Sequence, residues 1–106
     1  MHTTNVADEA CRVEVDKDLA ELIPNYLSNR KKEPAALRNA LAQADFGQLR
    51  LIGHRMKGVG QSYGFARISA YGSQIEDAAK AELAKSMGPL IDEYERYLSR
   101  VSVTFV

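Results

Sequence analysis

Leu49, Ile52, Met56, Val59 and Tyr63 recur at alternating steps of three and four within the run LRLIGHRMKGVGQSYG. That spacing follows the helical repeat and not the two-residue alternation of a half-buried strand, so the stretch is read as a helix with one buried stripe. Local propensity opposes this helix. Gly53, Gly58, Gly60 and Gly64 all fall inside it, and each glycine costs about 1 kcal/mol relative to alanine in a helix interior. Tertiary packing must compensate. On a helical wheel Gly53, Gly60 and Gly64 line one flank, where a neighbouring helix could approach closely. Gly58 instead lies on the exposed side.

The same periodicity extends over most of the chain. Asp16 is a plausible N-cap, followed by Leu19, Leu22, Ile23, Tyr26 and Leu27 at helical spacing. Pro24 can either open a second helix in its first turn or kink one begun at Asp16. Leu27, Pro34, Leu37 and Leu41 stay in phase across Pro34, which predicts a kinked or briefly interrupted helix. Asp45 is placed to cap the glycine-rich helix, and Gly64 to end it. Phe65, Ile68, Gly72, Ile75 and Ala79 then define a further helix to about Lys80. Leu83, Met87, Leu90, Ile91, Tyr94, Leu98 and Val101 define the last one, with Gly88-Pro89 either kinking it or marking its start. Residues 1–15 carry no sustained period and are expected to form a flexible arm, with His2 given no role. The alternation from Val101 to Val106 suggests a strand, but with no partner strand in view it is expected to be an unravelling helix end. Helices joined by short connections pack as neighbours. The expected fold is all-α: an antiparallel up-and-down four-helix bundle over residues 16–106, with room for a short extra N-terminal helix.

His54 falls opposite the apolar stripe. Lys57, Gly58 and Gln61 follow it, and Arg50 precedes it, on the same solvent-facing side. A satisfied core histidine would sit on the other face. A helical metal pair would need a second His or Cys three or four residues away, and none is there. Imidazole titrates near neutrality and is nucleophilic when unprotonated. Any side chain at position 58, one turn on, would crowd a group attached to the ring. Glu76 sits at the border of its helix's apolar stripe, where it could either turn toward a neighbouring helix or pair with Lys80 four residues on.

The run His54-Arg55-Met56-Lys57-Gly58, followed by Gly64 and then by Ile75-Glu76, resembles the histidine phosphotransfer (HPt) domain of multistep phosphorelays. The pattern of that family is His-x-x-Lys-Gly, a glycine six residues later, and a hydrophobic residue with an acid or amide about three turns on. The likeness spans roughly residues 16–98. It implies that His54 takes a phosphoryl group from the aspartate of one receiver domain and passes it to the aspartate of another. The acid at the matching position, Glu76, would hold Nδ1–H and leave Nε2 facing solvent. Lys57 is the nearest cation for the phosphoryl oxygens, with Gln61 as a neutral donor. Gly58 and Gly64 would give clearance and close packing, while Arg50, Leu51 and Ser62 would belong to the docking surface. The resemblance places Mg²⁺ on the partner receiver, so neither a metal nor another cofactor is expected on this chain. Met56 replaces the more common leucine, and Glu76 stands where glutamine also occurs; neither departure disturbs the pattern.

Composition narrows the partners. With 14 basic and 14 acidic residues the formal net charge is zero, so no global field favours nucleic acid or an anionic membrane. No apolar run is long enough to span a bilayer, and the first fifteen residues lack a signal-peptide pattern. A soluble, cytoplasmic monomer is expected, with Cys11 an inert thiol. There is no GxxxxGK[ST] loop, so no autonomous kinase activity is expected. The expected partners are receiver domains of response regulators or of a hybrid histidine kinase. Two other roles share the motif: a non-phosphorylated module that binds or inhibits a kinase or receiver, and the substrate domain of a chemotaxis-type kinase.

Overall fold

The structure is a computed structural model and describes residues 11–106. His2 and the first ten residues of the expected arm lie outside the described residues. Helix α1 spans Ile23–Arg30, α2 Glu33–Ala42, α3 Phe46–Tyr63, α4 Ala66–Lys80 and α5 Ala84–Arg100. The four longer helices pack in sequence order, and α5 closes back on α2, which makes a four-helix bundle with α1 as the short extra helix. Gly53 faces Gly72 and Glu76 while Gly60 faces Phe65 and Ser69, so α3 and α4 run antiparallel.

The stripes read from the sequence form the core. Leu37, Leu49, Met56, Phe65, Ile68, Ile75, Met87, Ile91 and Tyr94 are all fully buried. Pro24 and Pro34 each sit in the first turn of a helix, where the missing N–H has no intrahelical partner to lose. Asp16 therefore caps only a 3-10 turn over Lys17–Leu19, and Pro24 opens a separate helix. Across Pro34 the expected interruption is the short turn at Lys31 and Lys32. Pro89 lies inside α5, which begins at Ala84 and not at the Gly88-Pro89 step. Leu83 departs from the expected stripe: it precedes the first turn of α5 and is 50% exposed. The hydroxyl of buried Tyr94 donates to Glu33 at 2.6 Å, tying α5 to the start of α2. Burial raises the Glu33 carboxyl above its ordinary range, against the opposing effects of Tyr94 and Arg30.

Both ends of the described residues differ from expectation. Arg12–Val15 forms strand β1 and Ser102–Phe105 strand β2, paired in parallel with Val13 beside Val103 and Val15 beside Phe105. The C-terminal alternation thus has its partner in the segment expected to be an arm. Val15 is buried and Val13 and Val103 pack on the core, so the ribbon covers apolar surface instead of hanging free. Cys11 is buried at the head of β1, with Arg67 Nη1 3.9 Å from its sulfur, and not on a loose terminus.

Glu82, between α4 and α5, holds φ at 55°. A side chain in the left-handed region costs roughly 1–2 kcal/mol, which glycine avoids at some entropic cost in the unfolded chain. Glu82→Gly is expected to stabilise the protein by about 1 kcal/mol, seen as a higher urea midpoint at unchanged slope.

Candidate functional site

The site is built on α3 and α4. The Asp45 carboxylate caps α3 by accepting from the Gln48 amide at 3.0 Å. Gly64 ends the helix at φ 84°, a left-handed conformation that explains the glycine there. A Cβ at Gly64 would meet nothing within 4 Å, so the close-packing role expected of it is replaced by this backbone one. At Gly53 and Gly60 close packing does hold: a Cβ at either would lie 2.8 Å from α4 backbone atoms. A Cβ at Gly58 would meet nothing within 4 Å. No contact within the fold requires glycine there.

His54 projects from α3 with its side chain 70% exposed, while the Glu76 side chain from α4 is 10% exposed. Nδ1 of His54 lies 3.0 Å from Oε2 of Glu76. Lys80 Nζ is 3.9 Å from the same oxygen, so both readings of Glu76 hold at once: it reaches the neighbouring helix and it pairs with Lys80. Burial pushes the Glu76 carboxyl up, but the hydrogen bond from His54 and the charges of Lys80 and Lys57 outweigh it and leave the group below its ordinary value. An ionised carboxylate can only accept, so in a neutral ring this contact suits the tautomer with the proton on Nδ1 and the lone pair on Nε2.

A carboxyl lowered on folding stabilises the fold above its unfolded value and loses that contribution as pH falls through the folded one. The stability deficit of Glu76→Gln is therefore expected to be full above the ordinary value of 4.5 and to shrink below it. Parallel urea titrations of both proteins from neutral to acid pH measure this.

Arg50, Leu51 and Gly47 line an open depression with His54 and Glu76. Leu51 is 48% exposed, an apolar side chain displayed to solvent beside the imidazole. Lys57 is exposed on the turn that follows, and its charge acts on Glu76. Gln61 is exposed two turns from His54, and no hydrogen bond joins them. Ser62 is exposed and its hydroxyl donates to the Gly58 carbonyl at 3.1 Å. The structure thus brings together His54, Glu76, Arg50 and Leu51, with Lys57 adjacent, and leaves Gln61 and Ser62 further along α3. Lys80 is the site residue that sequence reasoning treated only as a surface pair; its signal was the four-residue spacing from Glu76.

No helix among the described residues is long and apolar enough to cross a membrane. In comparisons with known proteins, the family described as Hpt domain matches residues 9–104, nearly the whole chain. No curated protein and no solved structure gives a significant match.

Proposed function

The chain belongs to the Hpt domain family, and from that premise we propose that it is a phosphorelay intermediate in which His54 takes a phosphoryl group from one receiver-domain aspartate and delivers it to another. Histidine phosphotransfer is the activity of the family, and its members interact with receiver domains and kinases. The observation that carries the proposal is the 3.0 Å contact between His54 Nδ1 and the Glu76 carboxylate on an otherwise exposed imidazole.

In the proposed step Nε2 attacks the phosphorus of the aspartyl phosphate. The N–P bond forms as the P–O bond breaks, and the aspartate leaves as a carboxylate. The Nδ1 proton stays on the ring, and the positive charge the ring acquires is balanced by Glu76. Phosphoryl transfer asks the protein mainly to align donor and acceptor and to offset charge on the equatorial oxygens. Lys57 is assigned that second task, with Lys80 behind it on Glu76. Mg²⁺ is assigned to the receiver. Arg50 and exposed Leu51 are assigned to docking, where a cation beside an apolar contact suits the acidic rim of a phosphorylated aspartate site.

Incubation with a radiolabelled phospho-receiver and Mg²⁺ tests this reading. The expected result is acid-labile, alkali-stable label on the peptide that contains His54. No transfer, or label with the stability of a phosphoester, would overturn it.

A further inference from the structure

Behind the contact of Glu76 with His54 two helix backbones approach closely, and the approach centres on Gly72. A Cβ built at Gly72 would lie 2.6 Å from the Gly53 carbonyl oxygen, 2.6 Å from the Lys57 amide nitrogen and 2.8 Å from Met56 Cβ. Those three atoms belong to the turn of α3 that carries His54 and Lys57 on its outer face. From the other side, a Cβ at Gly53 would lie 2.8 Å from the Glu76 amide and from the Gly72 carbonyl. Ser69 closes the seam by donating its hydroxyl to the Lys57 carbonyl at 3.0 Å.

We infer that Gly72 is a positioning residue for phosphoryl transfer: its missing side chain seats the His54–Lys57 turn against α4 so that Glu76, one turn on, holds Nδ1. The inference rests on the phosphotransfer reading of His54. An alanine Cβ at Gly72 must retreat from 2.6 Å to ordinary contact near 3.4 Å, which parts the backbones by about 0.8 Å. An opening of that size directed along the 3.0 Å contact between His54 and Glu76 would take the pair beyond hydrogen-bond reach. Gly60 provides the comparison. Its Cβ would also strike α4 backbone, 2.8 Å from the Ser69 amide, but two turns from His54 and beside the Gly64–Phe65 connection.

The test compares ¹⁵N-labelled wild type, Gly72→Ala, Gly60→Ala and Glu76→Ala by long-range ¹H–¹⁵N spectra of the neutral His54 ring. Wild type is expected to show the Nδ1–H tautomer alone. Gly72→Ala should shift to the mixed tautomers of Glu76→Ala and accept phosphoryl groups about 10- to 100-fold more slowly. Gly60→Ala should lose stability yet keep the wild-type tautomer. A wild-type tautomer in Gly72→Ala, or an equal shift in Gly60→Ala, would overturn the inference. If Gly72→Ala does not fold, Gly53→Ala is read in its place by the same criteria. Unfolding of both counts against the proposal, because the contact would then be a requirement of the fold and not of the site. The tautomer is read with no phosphoryl group present, so this result is separate from success or failure of transfer.

Discussion

His54→Gln is expected to acquire no label from a phospho-receiver under conditions that label the wild type fully, and to unfold within about 0.5 kcal/mol of it. The two halves of this result follow from one geometry. The imidazole is 70% exposed, so its removal leaves no cavity and strands no buried partner other than the Glu76 oxygen. A glutamine amide can donate toward that oxygen in place of Nδ1–H. What glutamine cannot supply is a nucleophilic ring nitrogen, because its amide lone pair is delocalised into the carbonyl. Gel autoradiography and urea titration on the same preparation separate lost chemistry from lost fold. Residual label on the variant would move the acceptor elsewhere.

The next largest effect is expected from Glu76→Ala, with phosphoryl uptake slowed by about 10²- to 10³-fold. With Glu76 gone, Nδ1 faces water, both neutral tautomers are populated, and only part of the population presents a free Nε2 pair. The charge that develops on the ring as the N–P bond forms also loses its counter-ion. Lys80, 3.9 Å from the same oxygen, is left without that partner. Glu76→Gln keeps an acceptor within reach of Nδ1 but not the negative charge, so its loss should be smaller than that of alanine. The ordering of wild type, glutamine and alanine in single-turnover transfer checks this. Equal rates for all three would remove Glu76 from the mechanism.

The bundle and the centre of the site were legible in the chain because each rests on local spacing. The stripe through Leu49, Ile52 and Met56 put His54 on the opposite face. Asp45 and Gly64 bracketed α3 by capping chemistry that depends on one residue each. The contact of Glu76 with His54 was marked by the family pattern, since an acid at the edge of an apolar stripe serves a surface pair equally well. The two-stranded ribbon was not legible. Its strands have four residues each and lie at opposite ends of the chain, and the alternation of Val13 and Val15 with Arg12 and Glu14 is too short to stand out as a sustained period. Parallel pairing also leaves no hairpin turn to announce it. The glycines divided in a way the wheel could not resolve. Gly53 and Gly60 face α4 backbone, whereas Gly64 serves only its own φ angle. Gly72 read as one more small residue in a stripe, because the backbone it touches belongs to another helix.

The central claim is that Glu76 fixes the proton on Nδ1 and thereby makes Nε2 the attacking atom. It is tested most directly by phosphorylating ¹⁵N-labelled protein with a phospho-receiver and recording phosphorus–nitrogen couplings of the His54 ring. The phosphoryl group should be found on Nε2, with Nδ1 still protonated. A phosphoryl group on Nδ1 would contradict the account.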